Sequence, residues 1–264
     1  MKVFVMTDLE GATGVAGTWE DFNPGGRLHE EARRMLTRDV NAAVEGAFRG
    51  GADEVVVLDG HGAAFSILLE DLNPEAKLIR GRRVLEMEGL DESFDAVLAV
   101  GAHAMAGTPF ALLCHTLSHT AIQEIKVNGL LVGEVGLWAL IAGYYGVPFA
   151  MVAGDATAVE EAKRLVKRVE GVAVKRATSM YAAECLHPSI TYKMIAGSAE
   201  NALKKCSKNE LKPYTLEGEV LMEVTYILPS TAERVATRFG VQKLDGKTVA
   251  YKGNNILECL GMLL

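Results

Sequence analysis

The chain opens on a short apolar run, Val3 to Met6, and then alternates such runs with stretches whose apolar residues recur every three or four positions. Short continuous runs suit strands buried on both faces, and the longer spacing marks one face of a helix. Ala32, Met35, Leu36, Val40, Ala43, Val44, Ala47 and Phe48 form one such stripe, stopped by Gly50-Gly51. Val55 to Leu58 and Ala96 to Val100 read as central parallel strands, with a short strand at Leu78 and Ile79 between them. Glu86 to Glu92 reads as an exposed acidic connection without chemistry. This order of elements predicts an α/β fold, a largely parallel sheet with flanking helices in three layers.

Further on, Ile125 to Val132 alternates around Asn128-Gly129, a dipeptide whose taste for positive φ predicts a hairpin with a type I′ turn. Gly133-Glu134 then opens an apolar helix through Leu137, Leu140 and Ile141, ending near Gly146-Val147-Pro148. Phe149 to Val152 reads as a strand and Ala158 to Val169 as an amphipathic helix. From about Glu184 the pattern predicts a helix at Ile190 to Leu203, a strand at Val220 to Ile227, a helix from Thr231, a strand near Val249 and a terminal helix from Asn255 to Leu264. The expected organisation is a catalytic α/β domain at 1–183 and a smaller α/β domain at 184–264, the latter a candidate for subunit contacts. No internal repeat or low-complexity linker marks the boundary.

Composition narrows the class. With 264 residues, 49% hydrophobic and 23% charged, the chain has the balance of an ordered globular enzyme. A net charge of −7 without a long basic run argues against nucleic acid or an anionic membrane as partner. The amino-terminal stretch lacks the full apolar segment of a signal peptide, which points to a cytoplasmic location. The four cysteines, Cys114, Cys185, Cys206 and Cys259, form no Cys-x-x-Cys pair and read as reduced, mostly buried thiols. Cys114 beside His115 is the one with a conceivable nucleophilic role, weakened because neighbours on a strand point apart.

The candidate chemistry sits where strands end. Asp8 and Glu10 follow the first strand two positions apart and so face one side. His61 follows the second strand, His103 follows the run at 96–100, and Glu134 stands in the first turn of its helix. Ligands of open α/β sheets bind beyond the carboxyl ends of strands. Imidazole and carboxylate together suit Zn²⁺ first, with Mn²⁺, Co²⁺ or Fe²⁺ as chemical rivals. Taken singly, the acids read as turn residues binding local amides and the histidines as satisfied core or loop residues; their convergence points to a binuclear metal site. Asp59 and Asp155 occupy similar strand ends and would orient histidines or amides. Gly11, Gly14 and Gly17 miss the dinucleotide spacing, and the acids before them would repel a pyrophosphate; these glycines would let the backbone pass close or turn.

Asp8-x-Glu10-Gly11, Asp59-Gly60-His61, Gly101-x-His103-Ala104, His115-Thr116 and Asn128-Gly129 through Gly133-Glu134-x-Gly136 together resemble the zinc D-aminopeptidases of peptidase family M55. The likeness runs from Met1 to about Asp155 and more loosely beyond. It implies two zinc ions per chain, with Asp8 bridging, Glu10 and His61 on one ion, and His103 and Glu134 on the other. His115 would be the catalytic histidine, although His119 close by competes for that place on sequence alone. The resemblance further implies short peptide substrates with an amino-terminal D-residue, and a large ring-like homo-oligomer, a decamer, enclosing its active sites. A binuclear phosphoesterase would use similar ligands, but no phosphate-clamping arginine cluster supports it. A non-catalytic peptide-binding protein is the other reading.

Overall fold

The structure is a computed structural model that describes residues 1–62 and 65–263. Strand β1 (Lys2–Thr7) leads through the short helix α1 (Trp19–Phe22) into the long helix α2 (His29–Arg49). There follow β2 (Glu54–Leu58), β3 (Ala76–Ile79) and β4 (Ala96–Ala102), then the hairpin β5 (Ile122–Val127) and β6 (Leu130–Val132). Asn128 and Gly129 both carry positive φ, 49° and 78°, as the type I′ turn requires. Helix α3 (Glu134–Tyr144), β7 (Phe149–Asp155), α4 (Ala156–Leu165), β8 (Glu170–Ser179), β9 (Ala182–Cys185) and α5 (Pro188–Ser207) come next. The chain finishes with β10 (Val220–Tyr226), α6 (Pro229–Val235), β11 (Val241–Lys243), β12 (Thr248–Gly253) and α7 (Ile256–Leu263). Leu264, expected in the last helix, lies outside the described residues.

Seven strands form the first sheet in the order β3-β2-β1-β4-β7-β8-β9, parallel except for the β8–β9 pair. Its central strands are apolar on both faces because both are covered. Val3, Val5, Val57 and Leu98 face α2 and α5, while Phe4, Met6, Val97 and Ala99 face the side of α3 and α4. Strands β8 and β9 had no counterpart in the sequence pattern, where Lys175-Arg176 interrupts the apolar signal.

The second sheet, β11-β12-β10-β5-β6, is antiparallel. Its strand β10 alternates, with Val220, Met222, Val224 and Tyr226 buried and Leu221 exposed, the sign of a sheet packed on one face. Helix α3 lies between the sheets and is buried from Glu134 through Gly143, as a helix apolar all round must be. The 184–264 segment supplies β10, β11 and β12. The other two strands of this sheet come from the hairpin, and α5 packs against α2 on the first sheet.

Register places the site. Met6 pairs with Leu58, and Thr7 with Val100, so β1, β2 and β4 end side by side. Two glycines let the loops cross there. A Cβ on Gly101 would fall 1.8 Å from the Asp8 carbonyl oxygen, and one on Gly11 would fall 1.9 Å from that of Ala102. Both approaches exclude any side chain.

Candidate metal centre

The loop after β1 is tied to the end of β4 through backbone bonds from Asp8 N to Val100 O (2.9 Å) and from Gly11 N to Gly101 O (2.7 Å). Asp8 and Glu10 are thereby held on the same side of the sheet edge, each less than a tenth exposed. Asp8 Oδ1 accepts from Leu9 N at 2.9 Å, the local turn bond that its position invites. Its other oxygen, Oδ2, has no hydrogen-bond partner, nor has Glu10 Oε2.

His61 reaches the site from the loop after β2. Its Nδ1 meets Ser66 Oγ at 2.9 Å, and its Nε2 lies 3.4 Å from Glu10 Oε1. Asp59 supports this loop by accepting from Ser66 N (3.3 Å) and Ile67 N (3.0 Å). Beyond β4, His103 Nδ1 donates to Ala104 O at 3.0 Å, leaving Nε2 as the free nitrogen, 3.1 Å from Asp8 Oδ2 and 3.3 Å from Glu134 Oε1. Glu134 Oε1 also accepts from Leu117 N at 2.7 Å.

His115 stacks on His103 with ring centroids 4.0 Å apart. Its Nδ1 donates to Leu113 O (2.9 Å), and its Nε2 stands 3.7 Å from Glu134 Oε1. His119 is exposed and stacks instead on Trp19, 4.2 Å away. Of the two histidines that compete in sequence, His115 is the one packed among the ligand candidates. Cys114 lies on an irregular segment rather than a strand, with Sγ directed toward Thr108 O and Met180 Sδ. Asp155 caps α4 through Thr157 N (2.7 Å) and accepts from Leu112 N (3.3 Å), so it orients amides and no histidine.

Packing these acids and imidazoles together sets their proton affinities against one another. Burial, with Glu10 adding to it, lifts the Asp8 carboxyl to about 7. Burial opposes ionisation of Glu10 as well, but His61, His103 and His115 hold that group well below the usual carboxylate range. For His61 the penalty of burial is outweighed by Glu10, Asp8 and Asp59, which raise it to about 9. His103 is likewise driven up by Glu134 and Asp8 against its burial. His115 goes the other way, lowered by burial and by the neighbouring His103.

The donor set offers two overlapping groups suited to a cation, with His103 in both and His61 in neither. Ligand atoms of Asp8, Glu10 and His103 lie within 4.8 Å of one another, and so do those of His103, His115 and Glu134. The buried atoms left without partners include Asp8 Oδ2, Glu10 Oε2 and His103 Nε2, all on this cluster. Unsatisfied buried acceptors of this kind are costly unless a cation completes them.

Comparison with known proteins identifies the family. The profile of peptidase family M55, D-aminopeptidase, matches residues 1–264. The chain belongs to that family. A D-aminopeptidase of Bacillus subtilis (strain 168) is 33% identical over 268 residues, covering all of this chain and 96% of the relative. A solved structure, described as the Zn-dependent D-aminopeptidase DppA from Bacillus subtilis, a self-compartmentalizing protease, superposes with a TM-score of 0.94 at 33% identity, covering all of this chain and 95% of the other.

Members of the site outside the motifs were not foreseen. A cavity of about 280 Å³ in front of the ligand cluster is also lined by Trp19, Asn23, Arg83, Glu86 and Leu117. The acidic connection at 86–92 is therefore not a bare surface loop: Met87 and Leu90 are buried in the core and draw Glu86 to the cavity wall. Lys175 of β8 is wholly buried and donates to the carbonyls of Glu10, Ala12 (2.9 Å) and Val15. Burial lowers its pKa to about 8, so the ammonium persists at neutral pH. From the opposite side Asp39 of α2 accepts from Thr13 N (2.7 Å) and Thr13 Oγ1 (2.9 Å). Glu161 of α4 accepts from Met105 N and Gly133 N, joining the His103 loop to the start of α3. A buried lysine or glutamate of this sort leaves no signal in a linear pattern beyond a charge amid apolar residues.

Proposed function

We propose that this protein is a metal-dependent aminopeptidase that releases the amino-terminal residue, a D-amino acid, from short peptides. We assign two zinc ions per chain, held by Glu10 and His61 on one side and by His103 and Glu134 on the other, with Asp8 between them. The observation that carries this reading is the position of Asp8: a buried carboxylate with one oxygen unpartnered, set between Glu10 and His103 at the end of the parallel sheet. Full-length similarity to a Zn-dependent D-aminopeptidase supports the metal, the reaction and the stereochemistry.

When bound, the ions would polarise a peptide carbonyl and lower the pKa of a water. The chain's residues supply the rest. With its Nδ1 proton held by Leu113 O, His115 presents an unprotonated Nε2 to the cavity, able to take a proton and return it to the leaving amine. Its lowered pKa keeps that nitrogen free at neutral pH. Trp19 and His119, stacked on each other, form one wall of the cavity. The cavity volume admits a few residues of peptide and no folded chain. The relative's description as self-compartmentalizing supports a closed homo-oligomer for this chain too, and we place the protein in the cytoplasm. Among the described residues no helix is long and apolar enough to cross a membrane.

The test is amino-acid release from matched D,D- and L,L-dialanine by zinc-reconstituted protein, with a chelated control. Zinc-dependent release from the D,D-peptide alone is expected. Release from the L,L-peptide alone would overturn the stereochemical assignment, and turnover surviving chelation would overturn the metal mechanism.

A further inference from the structure

The buried polar atoms without a hydrogen-bond partner, among the described residues, include one outside the cation-binding set, on a residue that borders the same cavity. It is Nη1 of Arg83. Asp8 Oδ2 and Glu10 Oε2 are lone-pair atoms that want a positive partner. A guanidinium has only N–H groups and wants an acceptor, best of all a carboxylate that takes two bonds at once.

Its nearest anion does not fill the need. Glu86 Oε2 lies 3.8 Å from Arg83 Nη1, beyond hydrogen-bonding distance. The Arg83 side chain is 15% exposed, so water has little access to complete it. The surroundings make the cation more distinctive still. The cavity wall carries Asp8, Glu10, Glu86 and Glu134, and Arg83 is the one Lys or Arg among the described residues that line it. Arg83 and Glu86 also border a second, adjoining hollow of about 940 Å³ with Arg82, Val84, Leu85 and Phe65 on its walls. The guanidinium therefore stands at the passage from the ligand cluster to an open, partly apolar annex.

We propose that Arg83 is a specificity-determining residue that binds the free C-terminal carboxylate of a dipeptide or tripeptide substrate. This rests on the aminopeptidase reading above. A short peptide held with its first carbonyl at the ligand cluster has its carboxylate one or two residues further on, roughly 4–7 Å away. It is the one fixed negative charge such a substrate of neutral residues brings. Pairing with Arg83 would satisfy the orphan donor, fix the direction in which the peptide lies, and leave the second side chain facing the annex. Long peptides and C-terminal amides would lose this contact.

The experiment compares D-Ala-D-Ala with D-Ala-D-Ala amide, following release of amino-terminal D-alanine by the zinc-loaded, full-length protein. The wild type should favour the acid by about tenfold or more in kcat/KM, the effect of one hydrogen-bonded charge. Arg83→Gln should raise KM for the acid with little change in kcat and bring the acid-to-amide ratio close to one; Arg83→Lys should restore part of it. Equal turnover of acid and amide by the wild type, or a ratio unchanged in Arg83→Gln, overturns the proposal while leaving the aminopeptidase reading intact. Equal loss on both substrates in Arg83→Gln also overturns it, since that is what a merely structural partner of Glu86 would give. Release from neither substrate by the wild type refutes the aminopeptidase reading and this proposal with it.

Discussion

The two halves of the ligand cluster are built differently. On one side His103 is 1% exposed, stacked on His115, fixed by a backbone carbonyl and wedged between Asp8 and Glu134. On the other, His61 is 28% exposed and takes its orientation from a serine hydroxyl on a loop. The first half is made of core, the second of a surface loop laid over it. Carboxylates of both halves line the cavity, so the contrast lies in the imidazoles: a cation at Asp8, His103 and Glu134 would rest on a buried ring, whereas one at Glu10 and His61 would rest on a half-buried one. The difference teaches which half is expected to give up its ion first and which to hold the fold.

The largest effect is expected from Asp8, the carboxylate that the proposed assignment sets between the two ions. Asp8→Asn should lose at least about 1,000-fold in kcat/KM, beyond the 10–100-fold typical of an outlying partner. Elemental analysis should find neither ion at full occupancy, with the circular dichroism spectrum unchanged. Full zinc content and normal turnover would erase the comparison at its root.

His115→Gln comes next, at about 100-fold or more in kcat. In the wild type, burial and His103 lower the His115 pKa, and bound cations would push it the same way. The acid limb of kcat/KM should therefore lie below the 6.5 of a free imidazole, with the rate falling as Nε2 gains a proton. A limb above 6.5, or the same limb in the glutamine variant, would assign the proton transfer to another group.

Stability of the metal-free protein separates the halves directly. His103→Ala removes the partner of two buried carboxylates and should cost about 3–5 kcal/mol. His61→Ala, near the surface, should cost about 1 kcal/mol. Both imidazoles are raised above their ordinary 6.5, so their contribution is complete below that pH and disappears as the pH climbs, for His61 through about 9. Urea melts at pH 6 and pH 9.5 read both points; equal losses for the two alanine variants would abolish the contrast. The smallest effect is expected from Ser66→Ala, which should weaken one zinc equivalent by about tenfold and leave the other unmoved. Competitive titration against a chelator measures it, and two equally weakened ions would mean that the halves do not act separately.

How much of this could be read from the chain follows the same division between periodic and singular features. Strands β1, β2 and β4 were legible because they are short apolar runs covered on both faces, and the acids and histidines that follow them stood out as candidates because strand ends in such sheets commonly border a ligand crevice. The hairpin announced itself through Asn128-Gly129. Strand β8 did not, since Lys175 points inward where an apolar residue is expected and Glu170 and Arg176 break the run. Arg83 and Glu86 were hidden for the opposite reason: their segment looks solvent-facing, and only the burial of Met87 and Leu90 ties it down. Separation along the chain also conceals the second sheet, whose middle pairing joins Val224 to Ile125 across about a hundred residues. Local periodicity carries no information about such a pairing.

Lys175 has a consequence of its own. Its ammonium, ringed by the carbonyls of Glu10, Ala12 and Val15, does for that loop what a potassium ion would do, but it is tethered to the backbone and no chelator can extract it. The mould into which Glu10 is cast would therefore outlast the loss of any ion held there. An emptied enzyme would keep a prepared socket on this side, and recharging it would be a matter of diffusion and dehydration instead of refolding.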